Sequence, residues 1–437
     1  MKKLFFSLIL FAFFNSYGQT WIPLDGGVYD GNGFGGYINS MAYDSVHNYL
    51  YVAGNFNYEG NDSAPGLAIW DGLVWQGIHI NYFGEYTKVL YYHDTIYVAD
   101  VTGRILKLYG TAIVGQIFPS MKGKIDDLYF YKDSLYACGE FTTDYDGTLL
   151  NGIAQWDGSK WNALGNGLDG GYPYTMSSYN DDLIVGGDFT NSDSLALNAI
   201  AAWNGKHWFA LGKGIARSTD RPGVSALQTY QSQLYVGGGF DSAGGIFAFD
   251  VARWNGSAWD SVGAGLNGDV LTFLVKDSFL YTGGNFNKYK TRIGYRVASW
   301  NGNKWHDLKL SSTGSVSDIE IFNNDIIAGG DFNTLLSGDF VSNVTEYTVT
   351  TNVNNVQKEN QDVSFFTNPT LGQLHIEAPN IHNATVTILN LFGQVVLQQQ
   401  FSDKASIDIS NLPKGMYLVN ITDERGNVVE TEKIVKE

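Results

Sequence analysis

The stretch "LYVGGGFDSAGGIFAFDVARWNGSAWDSVGAGL", residues 234–266, contains a unit that recurs along the chain. In most copies a Gly-Gly-x-Phe sequence is followed after 14 or 15 residues by a tryptophan, and a second tryptophan comes five residues later. The phenylalanines of the unit are Phe56, Phe141, Phe189, Phe240, Phe286 and Phe332. Their spacing fits a repeat of about 46 residues with one gap of double length, which indicates a repeat architecture.

A degenerate seventh copy fills the double gap at residues 95–115, with Val101 at the phenylalanine position and Tyr109 at the tryptophan position. Each copy contains four short strand-like runs. In most copies the last two are joined by Asn-Gly or Asp-Gly, residues that tolerate the backbone of a hairpin turn. Four short strands per repeat are typical of one blade of a β-propeller. The sequence therefore predicts an all-β protein whose residues 19–349 form a seven-bladed β-propeller.

The two ends of this region supply parts of one copy. The last copy stops at Tyr347, whereas "WIPLDGG" (21–27) matches "WNALGNG" (161–167). We predict that the N-terminal segment completes the last blade and closes the ring. All 11 tryptophans belong to the repeat, which favours packing between blades over a surface that stacks on sugars.

The N-terminus reads as a signal peptide. Two lysines precede an apolar run that ends near Phe14 and is too short to span a bilayer. We therefore expect residues 1–18 to be a signal peptide and the protein to be exported without a transmembrane segment. The net charge of −17 argues against nucleic acid as a partner, and the lone Cys138 excludes an intramolecular disulfide.

The repeat region resembles the secreted bacterial propellers built from "GGxF…W(D/N)GxxW" units, in the kelch-like and galactose-oxidase-like superfamily. The double glycine followed by a tryptophan is kelch-like. The second tryptophan departs from the kelch pattern, so the resemblance implies a fold and no particular activity.

After a polar linker at 350–362, the chain ends in a segment of alternating polar and apolar residues that we interpret as a small β-sandwich. Residues 363–437 resemble the type A sorting domain of the bacterial type IX secretion system. The resemblance implies recognition by the type IX machinery and delivery through the periplasm to the cell surface or beyond. The motif residues that carry it are Asn368, Pro369, Gly372, Gly393, Gly415, Tyr417, Leu418, Lys433 and Lys436.

Catalytic signals are weak along the whole chain. The seven histidines are scattered without metal-ligand spacing, and no serine nucleophile motif is present. Cys138 takes the first glycine position of its copy, "LYACGEF" (135–141), and is interpreted as a small packing residue. We therefore expect no catalytic residues, no metal centre and no cofactor, with calcium left open at the rim described next.

The residue between the double glycine and the phenylalanine is polar in most copies. Sevenfold symmetry would bring these residues to one rim: Asn55, Glu140, Asp188, Asn285 and Asp331, with Gly239 and Asp100 at the equivalent positions. One interpretation is an oxygen-lined rim that binds calcium or a polar ligand. The alternative is that each side chain caps its own turn.

The longest and most varied loops follow the same unit and are predicted to lie on one face. They span residues 57–66, 142–151, 190–198, 241–250, 287–296 and 333–340. Loops on a rigid scaffold often carry recognition, and the candidate contacts are Tyr58, Tyr145, Asn191 and Tyr289. The short loop of the second blade would leave a gap in this wall.

These features predict an exported propeller that binds glycan or protein at the cell surface or outside the cell. Two alternatives stay open. One is a carbohydrate lyase or hydrolase that uses the central channel. The other is a structural surface component without a specific ligand.

Overall fold

The computed structural model describes residues 17–24, 26–30, 35–59, 62–80, 84–218, 222–286, 296–310, 312, 314–332, 341–351, 364–366, 370, 372–378, 383–390, 395–422 and 428–436. The chain divides into two compact units, residues 19–348 and residues 349–437 together with 1–18. The described residues contain strands and turns and no helix. Several predicted features lie outside them: residues 1–16 of the signal peptide, linker residues 352–362, Tyr289, Asn368, Pro369 and Gly393.

Within the described part of residues 17–351, seven antiparallel sheets have four strands each. They are numbered here along the chain, and the strands of each are called first to fourth in hydrogen-bonding order. Their bounds are Tyr37–Asp44, Tyr49–Asn55, Leu67–Trp70, Trp75–Gly77 (sheet 1); Tyr86–Tyr92, Thr95–Asp100, Ile105–Tyr109, Ala112–Ile117 (sheet 2); Met121–Tyr131, Ser134–Asp144, Ile153–Trp156, Trp161–Ala163 (sheet 3); Pro173–Tyr179, Asp182–Gly187, Ile200–Trp203, Trp208–Ala210 (sheet 4); Gly223–Tyr230, Gln233–Gly239, Val251–Trp254, Trp259–Ser261 (sheet 5); Val270–Lys276, Phe279–Gly284, Val297–Trp300, Trp305–Asp307 (sheet 6); Val316–Phe322, Asp325–Gly330, Val344–Thr351, Tyr17–Pro23 (sheet 7).

The sheets follow one another through their first strands. The first strand of each sheet contacts the first strand of the next, and the first strand of sheet 7 contacts that of sheet 1. The fourth strand of sheet 7, Tyr17–Pro23, comes from the N-terminal end of the chain and pairs with Val344–Thr351. The two ends of the repeat region therefore meet in one sheet.

Short strands occur in the loops that follow the Gly-Gly-x-Phe units and in the segments that pair with these loops. In sheets 1, 4 and 5 these loops form small hairpins, and in sheet 3 a Thr143–Leu149 bridge closes the loop. The short strands are Val28–Tyr29, Tyr58–Glu59, Asp62–Ser63, Asn191–Ser192, Leu195–Ala196, Ile215–Ala216, Ser242–Ala243 and Ile246–Phe247. In sheet 2 the loop is reduced to a tight turn capped by Asp100.

The paired tryptophans are building blocks of the fold. In each of sheets 1 and 3–6 the two indoles pack at a tilt with ring centroids 5.0–5.3 Å apart, and in sheet 7 Trp21 packs on Tyr347 in the same way. The second indole also reaches the neighbouring sheet. Trp208 donates its Nε1–H to the carbonyl of Leu164 at 2.8 Å, and Trp259 donates to that of Leu211 at 2.7 Å. Each bond joins a sheet to the residue that follows the fourth strand of the preceding sheet.

The two glycines of the Gly-Gly pair allow two different close contacts. A Cβ built on Gly237, the first glycine, would lie 2.3 Å from Cγ1 of Val270 in the next sheet. A Cβ on Gly238, the second glycine, would lie 1.9 Å from the carbonyl oxygen of Gly223 in its own first strand. The first glycine therefore lets adjacent sheets pack closely, whereas the second lets two strands of one sheet approach.

The C-terminal unit contains two antiparallel sheets. One comprises Ser364–Phe366, Gln373–Ala378 and Asp403–Asp408, and the other comprises Val395–Phe401, Ala384–Leu389, Gly415–Thr422 and Val428–Lys436. Buried side chains of both sheets form one cluster that includes Ile376, Val386 and Val419. A shared apolar core of this kind stabilises two sheets against each other.

The described motif residues of the C-terminal unit lie on its strands or directly beside them. Tyr417 is buried and donates its hydroxyl to the carbonyl of Pro413 at 2.8 Å. Leu418 is exposed and pairs with Lys433, whereas Lys436 is buried and pairs with Gly415. Gly372 accepts a backbone bond from Ile409 at 2.8 Å. These contacts give the matching residues structural roles in the unit.

Candidate binding cavity

Every first strand of sheets 1–7 carries a β-bulge at the same place. The strand register skips one residue there. A bulge places two successive side chains toward one side of the strand instead of alternating them. We call the skipped residues the bulge ring: Asn39, Thr87, Asp126, Tyr174, Ser225, Leu271 and Ser317. We call the residues that follow them the second ring: Ser40, Lys88, Asp127, Thr175, Ala226, Thr272 and Asp318.

All fourteen of these residues line one cavity of about 400 Å³. Further lining residues come from the same first strands, among them Leu90, Tyr129, Ser177, Gln228 and Thr229. Hydroxyl, amide and charged groups predominate over apolar ones. All seven sheets therefore contribute lining residues to the cavity.

The second ring carries an ion pair and a second buried acid. Lys88 Nζ lies 3.0 Å from Oδ1 of Asp127. Burial acts to lower the pKa of Lys88, but the charges of Asp127 and Asp318 outweigh burial and raise that pKa above its ordinary value. Burial also raises the pKa of Asp318, although Lys88 opposes the shift. The lysine ammonium is thus held between two carboxyl groups.

The two acids of the second ring also join neighbouring sheets. Oδ2 of Asp127 accepts the amide of Met176 in sheet 4 at 2.8 Å, and Oδ2 of Asp318 accepts the amide of Met41 in sheet 1 at 2.7 Å. These carboxylates are therefore fixed in position by the next first strand.

The bulge ring contains a carboxyl group of a different kind. Oδ1 of Asp126 lies 2.6 Å from Nζ of Lys124, whereas no hydrogen-bond partner for Oδ2 occurs in the described residues. Burial raises the pKa of Asp126 to about 6, against the lowering effect of Lys124. Such a shifted carboxyl group in a cavity is typical of sites that bind or react.

Three of the predicted rim residues contact residues at or near the start of first strands. Asn55 Nδ2 lies 3.5 Å from the hydroxyl of Tyr37, Glu140 lies 3.9 Å from Nζ of Lys124, and Asp188 accepts the amide of Tyr172 at 2.6 Å. Burial raises the pKa of Tyr174, and the nearby Asp188 raises it further. Asp188 therefore borders a residue that lines the cavity.

The other two predicted rim residues bind at equivalent places in sheets 6 and 7. Asn285 Nδ2 lies 3.4 Å from Oδ2 of Asp269, and Asp331 accepts the hydroxyl of Ser315 at 3.1 Å. Each of the five thus reaches toward the start of the first strand of its own sheet. Only Asp100 among these positions caps its own turn in the manner that the alternative interpretation predicts.

Of the residues predicted as loop contacts, Tyr58 and Asn191 lie in small hairpins and Tyr145 lies in a turn. Tyr58 is 38% and Tyr145 is 64% exposed, whereas Asn191 Nδ2 bonds the carbonyl of Asp193 at 3.0 Å. Loop residues 287–295 and 333–340 lie outside the described residues. Two aromatic residues that the sequence analysis did not single out, Phe247 and Phe249, are exposed on the sheet 5 hairpin and near-parallel, with centroids 6.3 Å apart.

The described residues give little support for a metal site or a reactive thiol. Within them no group of three or more His, Cys, Asp or Glu side chains could hold a metal ion. Cys138 is buried, and burial raises the pKa of its thiol. The "DYDGT" stretch (144–148) forms a turn in which Asp144 accepts the amide of Thr148 at 2.8 Å.

The sequence analysis missed the two rings, although a signal was present. Aligning the seven repeats places Lys88, Asp127 and Asp318 at one position of the first strands, among residues that are mostly uncharged. A charged residue in such a strand indicates either an ion pair or a polar cavity. Only the bulge, which periodicity does not reveal, brings the preceding residues to the same side.

Comparison with known proteins identifies the C-terminal segment. Residues 364–437 match the family of secretion system C-terminal sorting domains, which confirms the predicted sorting domain. No curated protein matches the chain. The part of the chain that the structure describes has no helix long and apolar enough to cross a membrane.

Solved structures resemble the chain in fold. Two structures of the extracellular domain of BT4673 from B. thetaiotaomicron, called a one-component system in one and a hybrid two-component system in the other, align with 97% and 96% of this chain. The identities are 12% and 14%, and the TM-scores are 0.52 and 0.51. This chain spans 58% and 59% of those domains. The likeness supports a propeller-like all-β fold, and the sorting domain identifies a protein delivered by the type IX system to the cell surface or outside the cell.

Proposed function

We propose that residues 19–349 form a closed seven-bladed β-propeller that acts as a binding module for glycan or protein outside the cell. The seven four-stranded sheets supply the blades. The continuous succession of first-strand contacts, including that between sheets 7 and 1, supports ring closure. A kelch-like origin of the repeat stays part of this proposal, since the double glycine and the tryptophan carry it.

The ligand site in this proposal is the cavity together with its mouth. The observation that carries it is that all seven first strands bulge at the same point and present two polar-rich rings to one cavity of about 400 Å³. Ligand sites of this size commonly combine a preformed concavity with a few fixed polar groups. Asn55, Glu140, Asp188, Asn285 and Asp331 are the proposed rim of that site.

An enzymatic role is the second candidate, and Asp126 is the observation that favours it. Its pKa of about 6 lies near the range that suits a general acid or base. Lys124 at 2.6 Å and the nearby Glu140 supply further charges. We rank this role second because it rests on this single carboxyl group, whereas the binding role rests on all seven sheets.

A screen of the purified full chain on a broad glycan array, with and without calcium, tests the binding role. We expect selective retention of a small set of glycans that is independent of calcium. The variant Tyr174→Ala, at the mouth, should lose this retention, while Tyr109→Ala on the outer part of sheet 2 should keep it. A blank array followed by specific capture of one surface protein would assign the module to a protein partner, and failure of both assays would contradict a binding role.

A further inference from the structure

Two polar atoms of adjacent sheets in the cavity wall are unsatisfied. No hydrogen-bond partner for Thr87 Oγ1 or Asp126 Oδ2 occurs among the described residues. Thr87 is only 7% exposed. The two residues are successive members of the bulge ring, in sheets 2 and 3, and both line the cavity. A buried polar group without a partner costs free energy that a bound ligand can recover.

The charge of the cavity favours a cation. Lys88 is matched by Asp127 at 3.0 Å, and Lys124 is matched by Asp126 at 2.6 Å. Asp318 and Glu140 then add two further acids to the cavity and its mouth. The acids therefore outnumber the bases, so an anionic ligand would be repelled and a cationic one attracted.

The remaining lining groups match a ligand with several hydroxyls. They are short hydroxyl and amide side chains distributed around the cavity: Asn39, Ser40, Thr175, Ser177, Ser225, Gln228, Thr272 and Ser317. Each can both donate and accept hydrogen bonds. The aromatic ring of Tyr174 also lines the cavity. A ligand with several hydroxyls can bond more of these groups at once than an aliphatic amine such as a lysine side chain can.

We propose that the cavity binds a sugar with a free amino group, with its ammonium on Asp126 and a neighbouring hydroxyl on Thr87. A 2-amino-2-deoxy sugar supplies both groups in one molecule, an ammonium for the Asp126 carboxylate and a hydroxyl for Thr87, and both residues line the same cavity. This inference rests on the proposed function, since it names the ligand class of the same site.

Calorimetric titration of the full chain at pH 7 with glucosamine, N-acetylglucosamine, glucose and glucuronate tests the inference. Glucosamine should bind with a dissociation constant at least about tenfold lower than N-acetylglucosamine, because its ammonium can form a charge-assisted bond to Asp126 that the neutral amide cannot. Glucuronate should not bind. Asp126→Asn should remove the preference for glucosamine, and Thr87→Val should weaken the binding of glucosamine and glucose alike.

Asp94→Asn is the matched control. Asp94 lies in the turn between the first and second strands of sheet 2 and accepts the hydroxyl of Tyr91 at 3.0 Å. This variant should retain the preference. The inference is wrong if wild type shows no preference for glucosamine, if Asp126→Asn retains it, or if the amine of Nα-acetyl-lysine amide binds as tightly. If the array still yields a neutral glycan while any of these results is found, the binding role stands and only the ligand class fails.

Discussion

The joint between sheets 4 and 5 differs from the joint between sheets 7 and 1. At the first, the indole of Trp259 donates to Leu211 at 2.7 Å, and a Cβ on Gly186 would lie 2.3 Å from Val224. At the second, the equivalent indole of Trp75 has no hydrogen-bond partner among the described residues, and a Cβ on Gly329 would lie 3.0 Å from Ile38. The closing joint is therefore less tightly packed at both points.

Polar side chains form hydrogen bonds to the backbone where the two ends of the chain meet. Asn343 donates to the carbonyl of Val28 at 2.7 Å, and within sheet 7 Thr345 donates to that of Ile22, on the strand from the N-terminal end, at 2.6 Å. Asp318 also bonds the amide of Met41, as Asp127 bonds that of Met176 between sheets 3 and 4. At the joint between sheets 4 and 5, close packing at the glycine is accompanied by one indole bond, whereas the chain ends are joined by side-chain bonds from Asn343 and Thr345 to the backbone of the N-terminal segment.

The largest expected effect comes from removing an indole at a regular joint. Trp161 is 1% exposed and donates to the carbonyl of Pro119 at 2.9 Å. Trp161→Ala should lower the free energy of unfolding by about 3–5 kcal/mol, because it leaves a cavity and an unpaired carbonyl. Urea unfolding followed by circular dichroism measures the change. Trp75→Ala at the closing joint should cost clearly less, and equal losses would contradict the comparison.

Sheet 7 should respond to pH through Glu320 on its first strand. Burial raises the pKa of Glu320 to about 7. The folded protein then binds this proton more tightly than the unfolded chain, so the stabilisation is complete below about pH 4 and is lost as pH rises through 7. Glu320→Gln should be more stable than wild type at pH 8 by about 3 kcal/mol.

The pH dependence supplies the check on Glu320. The advantage of Glu320→Gln should shrink steadily between pH 8 and pH 4 in melting experiments on both proteins. Asp94→Asn, in an exposed turn of sheet 2, should follow the wild-type curve throughout. An advantage that is constant with pH would show that the carboxyl group titrates normally in the folded protein.

The double glycine offers a smaller and more local test. Gly237→Ala places a methyl group against Val270 and the ring of Phe273 and should cost about 1–3 kcal/mol by overpacking. Gly329→Ala meets only the ends of Ile38 and Met41, which can move, and should cost less. Val270→Ala should partly rescue Gly237→Ala in a double-mutant cycle, and additivity of the two changes would argue against direct contact.

The sequence predicted the repeated elements well because a short local motif marks each of them. Double glycines, Asn-Gly turns and paired tryptophans mark strands and hairpins directly, and the copy of "WNALGNG" at residues 21–27 identified the strand that joins sheet 7. The bulge ring and the second ring could not be predicted from such local motifs. A bulge depends on strand register, so Thr87 and Asp126 look like ordinary alternating residues until the pairing is known. The rim residues were found by their repeat position, but their partners lie 16 to 18 residues earlier and could not be inferred from spacing.

The smallest expected effect isolates the indole hydrogen bond itself. Trp259→Phe and Trp75→Phe remove similar volumes, but only the first removes a bond to a carbonyl of the preceding sheet. Trp259→Phe should therefore cost about 1 kcal/mol more than Trp75→Phe, the usual net value of one hydrogen bond in a folded protein. Parallel urea titrations with a common slope give the difference. If the two costs are equal, the regular joints owe their strength to close packing at the glycines, and the indole bond only fixes the orientation of the ring.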